Sequence, residues 1–156
     1  MSKLLSKKNI LIIYHSQSGY TKILADALEK GIKKEKVIPR IKKALKAKLE
    51  DIIWADGILI GTPENFGYMS GALKYFFDET YYPARKLEIN KPLGIFISCE
   101  TDGTGADREI KKIAKGYCLK PVLETIIIKG KANDKDLKRL EEMGQTFAAG
   151  LAISIF

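Results

Sequence analysis

Short apolar runs separated by stretches of helical period constrain this chain more than any other feature. Ile10-Leu11-Ile12-Ile13 is unbroken, as suits a strand buried on both faces of a parallel sheet rather than one with a wet side. From Thr21 the spacing becomes helical, with Ile23, Leu24, Ala27, Leu28 and Ile32 on one stripe and Lys22, Asp26, Glu29 and Lys30 opposite. Val37, Ile38 and Ile41 make a second strand interrupted by Pro39, whose missing N–H places that strand at a sheet edge. A lysine-rich helical stretch leads through Leu49, Ile52, Ile53 and Trp54 into a third strand, Ile58 to Ile60, closed by Gly61 and Pro63.

Helical spacing returns at Leu73, Phe76 and Phe77, after which Tyr81-Tyr82-Pro83 opens an irregular connection ending at Pro92. Leu93 to Ser98 is the fourth strand and Ala106 to Lys115 a helix. Pro121 introduces Val122 to Ile128 as the fifth strand, and Asn133 or Asp134 caps a last helix. Strands alternating with helices in this way require right-handed crossovers. The expected fold is therefore α/β, a doubly wound five-stranded parallel sheet in the order 2-1-3-4-5 with helices on both faces, residues 1–156 forming one domain. Ligands of such sheets bind beyond the carboxyl ends of the strands, here at the switch point between strands one and three.

Composition narrows the function classes. Lysine and arginine outnumber aspartate and glutamate by 27 to 19, for a net charge of +8. The lysines are dispersed over helical faces and loops and lack interleaved aromatics, so a solvated surface is expected rather than a nucleic-acid site. The apolar run at the amino end is too short for a signal-peptide core, and Phe147 to Phe156 is half the ~20 residues a helix needs to cross a bilayer. A cytoplasmic chain without membrane insertion is expected. Cys99 and Cys118 form no CxxC pair and lack a histidine partner, so both are expected as free thiols and no metal site is expected. The tail Leu151 to Phe156 is unusually apolar and is expected either to pack on the sheet or to build a homodimer or larger assembly.

The chemistry concentrates in the loops after strands one, three and four. His15-Ser16-Gln17-Ser18-Gly19-Tyr20-Thr21 brings hydroxyls and backbone N–H groups to a helix amino terminus, which is an anion site. Ser16, Ser18 and Thr21 can each donate to phosphate oxygens, and Gly19 allows close backbone approach, so a monophosphate would be held without a lysine. Serine and threonine also cap helices for local reasons, and the motif alone leaves the two readings equal. The second loop, Gly61-Thr62-Pro63-Glu64-Asn65-Phe66-Gly67-Tyr68-Met69-Ser70-Gly71, leaves strand three and enters a helix.

Together these segments resemble the flavodoxin-like superfamily. Ser16 to Thr21 matches its hydroxyl-x-hydroxyl-Gly-x-Thr phosphate loop, and Gly61 to Asp78 is similar to the second flavin loop and following helix of its NAD(P)H-dependent FMN and quinone reductase branch. The resemblance implies that Ser16, Gln17, Ser18, Gly19, Tyr20 and Thr21 bind the phosphate of FMN. It implies that Thr62, Pro63, Glu64, Asn65, Phe66 and Gly67 line the isoalloxazine, with Phe66 or Tyr68 stacking nearby. The third loop, carrying Ser98, Cys99, Glu100, Asp102 and Gly103, is implied to close over the other side of the ring. It departs from the family in offering Glu100 and Asp102, where glycines or an aromatic are common. A carboxylate near the ring would lower its potential by opposing negative charge, whereas Asp102-Gly103 could also form a plain turn.

Competing motifs fail on their residues. Gly103 and Gly105 make a GxG without a third glycine, Gly105 stands where a cysteine phosphatase needs arginine, and Gly61-Thr62 replaces a receiver domain's aspartate. No acid or base is assigned, and neither His15 nor Cys99 is given a catalytic role. The expected activity is two-electron reduction of a quinone or flavin-type acceptor by NAD(P)H. The alternatives are a one-electron flavodoxin carrier and a cofactor-free binding domain.

Overall fold

In the computed structural model, which describes residues 6–117 and 119–156, the first apolar run becomes β1 (Asn9–Tyr14), buried along nearly its whole length. Cys118, expected as a free thiol, lies outside the described residues. The chain continues through α1 (Tyr20–Ile32), β2 (Ile38–Lys43), α2 (Leu49–Trp54) and β3 (Gly57–Asn65). There follow β4 (Tyr68–Met69), α3 (Gly71–Lys86), β5 (Lys91–Cys99), α4 (Thr104–Tyr117), β6 (Leu119–Pro121), β7 (Ile126–Lys129) and α5 (Asp134–Ala152).

The sheet runs β2-β1-β3-β5, with β6 and β7 both paired to β5 and all of these pairings parallel. This is the expected 2-1-3-4-5 order, with Pro39 on the edge strand β2. Two details differ. The fifth strand is split: β6 pairs with the start of β5 and β7 with its end, and the chain leaves the ladder between them. In that gap the Thr125 hydroxyl bonds Asp107 of α4 at 2.5 Å, a side-chain contact that β-branched composition does not announce. The second difference is β4, an antiparallel partner of β3 that turns the expected second loop into a hairpin.

The faces sort by parity along the central strands. Ile10 and Ile12 of β1 pack with α1 and α5, whereas Leu11 and Ile13 pack with α2, α3 and α4. Helix α3 continues through Tyr81, Tyr82 and Pro83 to Lys86, where an irregular connection was expected. Pro83 forfeits one intrahelical bond, a cost of about 3 kcal/mol in an exposed helix. Burial of Ala84 and the edge-on packing of Tyr81 against Tyr117, with ring centroids 5.9 Å apart, offset it.

The lysine-rich stretch before Leu49 is not helical. Lys42 and Lys43 end β2, the next residues turn, and α2 has only six residues. A helix so short is held at both ends: Asp51 accepts from the Lys48 N–H at 2.9 Å at the amino end, and the Lys91 ammonium donates to the carbonyls of Ile52, Ile53 and Ala55 at the carboxyl end. Asn133 caps α5 as expected, its side chain accepting from Asp136 N–H at 2.8 Å. Phe156 folds back on Phe147, while Ile153 and Ile155 stay exposed. Among the described residues no helix is long and apolar enough to cross a membrane.

Candidate functional site

The carboxyl ends of β1, β3 and β5 deliver three loops to one place. The loop from β1 turns through Gly19, whose φ of 99° is open to glycine and strained for other residues. Ser16 Oγ accepts from the Gly19 N–H at 3.1 Å, which shapes the turn and leaves the hydroxyl hydrogen free to donate. Among the described residues no side chain caps the amino end of α1. The amides of its first turn are therefore unspent, and the serines serve the loop rather than closing the helix end. Thr21, expected as a phosphate donor, is buried and shares a 2.7 Å hydrogen bond with Ser98 at the end of β5, either hydroxyl able to donate. It ties the first loop to the third.

The second loop is set by Thr62, whose fully buried hydroxyl accepts from the Ser70 N–H at 2.9 Å and donates to the Pro63 carbonyl at 2.9 Å. Ser70 in turn caps α3, accepting from the Leu73 N–H at 3.2 Å. The Thr62 hydroxyl therefore shapes the loop from within. Phe66 and Gly67, at φ 54° and 69°, form the two-residue tip of the β3–β4 hairpin, the φ signs of a type I′ turn. Phe66 stands fully exposed there, an uncommon backbone for a bulky side chain. Tyr68 lines a separate concavity with Lys74, Tyr81 and Lys112.

In the third loop, Asp102 accepts from both the N–H and the hydroxyl of Thr104, at 3.0 and 2.9 Å, and these bonds hold its carboxyl below the usual carboxylate range. Gly103 follows at φ 71°. Asp102-Gly103 is thus the turn into α4, as one of the two sequence readings had it. Glu64 reaches across from β3, its carboxylate accepting from the N–H groups of Gly103 and Ala106 and from the Thr101 hydroxyl. Burial pushes the Cys99 thiol up, the charges of Glu64 and Asp102 add to the effect, and Lys129 partly opposes it.

The three loops enclose a cavity of about 160 Å³ lined by Gln17, Ser18, Tyr20, Pro63, Glu64, Asn65, Ser98, Cys99 and Glu100. Each of these nine belongs to the set expected from sequence. A second cleft of about 490 Å³ continues from it on the other side of Gln17 and Ser18, lined by His15, Ser16 and Gly19 and by Lys22, Lys43, Leu45 and Lys46. Lys43 and Lys46 are exposed, as a solvated surface requires. Among the described residues Lys22 is paired with Asp26, whereas Lys43 and Lys46 have no carboxylate partner, so the phosphate-loop side of the site carries positive charge that the expectation of a phosphate held without a lysine did not include. The sequence signals this only by their position at and just after the end of the edge strand.

A larger concavity, about 810 Å³, lies at the opposite end of the sheet between Arg85, Lys115 and Lys120. It shares no residue with the three loops, and the switch point of a doubly wound sheet favours the carboxyl-end site. Among the described residues no three His, Cys, Asp or Glu side chains gather to hold a metal.

The donor set fits FMN: an uncapped helix end with hydroxyls for the phosphate, and beside it a cavity walled by three loops for the ring. Comparison with known proteins agrees. A flavodoxin of Aquifex aeolicus is 38% identical over 71 residues, 45% of this chain and 38% of that protein. An NAD(P)H dehydrogenase (quinone) of Geobacter sulfurreducens is 27% identical over 129 residues, 65% of this chain and 63% of that one. The chain thus spans less than two thirds of either relative. Among solved structures, a flavodoxin from the domain Archaea superposes with a TM-score of 0.83 at 24% identity, covering 92% of this chain and 98% of that one, which shows the flavodoxin-like fold. Residues 9–133 match the family described as NADPH-dependent FMN reductase, and the chain belongs to that family.

Proposed function

We propose that this protein holds FMN across its three carboxyl-end loops and catalyses two-electron reduction of a quinone or flavin-type acceptor by NAD(P)H. The observation that carries the reading is the cavity itself, whose nine lining residues come from all three loops and adjoin a helix end that no side chain caps. Ser16, Ser18 and the amides of the first turn of α1 would hold the phosphate, with Lys43 and Lys46 adding positive charge. The backbone of Pro63 to Asn65 and of Ser98 to Glu100 would flank the ring. The flavin supplies the electron chemistry, and the protein supplies position and electrostatics.

Glu100 is exposed at the cavity, where its carboxylate opposes added negative charge and would lower the flavin potential. Asp102 is committed to its turn and contributes less. A homodimer or larger assembly and a cytoplasmic setting, where the buried Cys99 thiol would stay reduced, complete the proposal.

Anaerobic titration of the FMN-reconstituted protein with NADPH and NADH, followed at the flavin's visible absorbance, tests it. Rapid bleaching by at least one nucleotide, reversed by benzoquinone, is expected. Bleaching by neither, with reduction by dithionite in two resolved one-electron steps, would make the protein a carrier of the flavodoxin kind.

A further inference from the structure

The last parallel pairing on this side of the sheet joins Cys99 to Lys129, and beyond it no ladder holds residues 100–103. Ile97 and Ile127 pack against Gly103, and among the described residues the hydrogen bonds that reach this segment from another strand come from one side chain, on β3. Glu64 sits past the end of the β3–β5 pairing, opposite Met69 in the hairpin. Its Oε1 accepts from the Gly103 N–H and the Thr101 hydroxyl, both at 3.2 Å, and its Oε2 accepts from the Ala106 N–H at 3.1 Å. The first turn of α4 is a second helix amino terminus at the ligand end of the sheet, and a carboxylate of the protein occupies it. The hairpin is seated on the same turn: a side chain at Gly105 would collide with the Gly67 carbonyl.

We propose that Glu64 is a positioning residue, a strut that sets the third loop in its ring-side conformation before any cofactor arrives. The inference rests on the FMN reading. The ring half of the site is then built by the Glu64 carboxylate, and the phosphate half independently by Ser16, Ser18 and the uncapped end of α1. The geometry calls for a carboxylate, since both oxygens accept. Glutamine can replace one of them but turns an NH₂ group towards a backbone N–H at the other.

The test compares wild type, E64Q, E64A and S18A by flavin-fluorescence quenching with FMN and with riboflavin, which lacks the phosphate. Amide hydrogen exchange of each apo-protein is measured in parallel. Loss of charge-assisted hydrogen bonds predicts that E64Q weakens FMN and riboflavin by a common factor of about ten. Exchange at Gly103 and Ala106 should rise in apo-E64Q, and E64A should go further in both respects. S18A should weaken FMN by a larger factor than riboflavin, since Ser18 borders the phosphate-side cleft as well as the ring cavity. The strut is overturned if E64Q binds both flavins as wild type does, or if exchange at Gly103 and Ala106 does not change. A wild type that binds neither flavin would instead sink the cofactor reading, and the apo-protein exchange would still decide the role of Glu64. E64Q, close to isosteric, serves if E64A does not fold.

Discussion

Cys99 closes β5 at the wall of the cavity, buried and with its ionisation pushed up. A thiol raised in the folded state above its ordinary value of ~8.5 lends stability that is fully present below that pH and is lost as pH rises through the folded value. In a C118S background, Cys99 should therefore react slowly with iodoacetamide at pH 8 and at the rate of a free thiol once urea unfolds the chain. Stability should fall from about pH 8.5 upward, and it should fall less when Cys99→Ala is added. Rapid labelling of the folded protein at pH 8 would show an accessible, activated thiol and overturn this reading. Such details escape a sequence. The resemblance of the three loops to the flavodoxin-like superfamily named all nine residues that line the cavity. It did not reveal that Thr21 spends its hydroxyl on Ser98, that Thr62 spends its own on the second loop, or that Glu64 reaches α4. Those partners stand eight to 77 residues away along the chain.

The strands were readable because burial on both faces leaves an unbroken apolar run, and the β1, β3 and β5 runs show it directly. Where the reading missed, a tertiary contact outweighed a local signal. Pro83 marks a break but is carried inside α3 by packing, and the hairpin tip Phe66-Gly67 lacks the Asn-Gly or Asp-Gly pair that would have announced it. Helices α1 and α5 cross closely at glycines: a Cβ on Gly144 would collide with the Leu28 carbonyl, and one on Gly31 with the Glu141 carbonyl. Alanine has the better helix propensity by up to about 1 kcal/mol. Yet G144A should destabilise the protein by about 1–3 kcal/mol, because backbone atoms cannot yield as a side-chain end can and the helices must separate. Urea denaturation of G144A against wild type measures this, and a raised midpoint would show that the crossing has slack.

The order of the sheet determines where the three loops meet, and the alternation of strands and helices was enough to locate the site at the β1/β3 switch point. Association between copies of the molecule is less constrained, since the sequence offers the apolar tail two destinations. The first, packing within the molecule, is used in part. Phe156 returns to Phe147, with ring centroids 5.9 Å apart, while Ile153 and Ile155 stand 68% and 69% exposed just after α5. Two isoleucines side by side in water are an unspent hydrophobic contribution of roughly 1.5–3 kcal/mol each if a partner covered them. With net charge +8, self-association must also overcome repulsion, so the contact should strengthen with salt as the charges are screened. Light scattering after size exclusion at micromolar concentration should give a dimeric or larger mass, rising in proportion as NaCl is added. I153D/I155D should run as a monomer at every salt concentration while keeping FMN affinity, since neither residue lines the cavity or the cleft beside it. A wild type that is monomeric at high salt would assign these side chains no partner among copies of this chain.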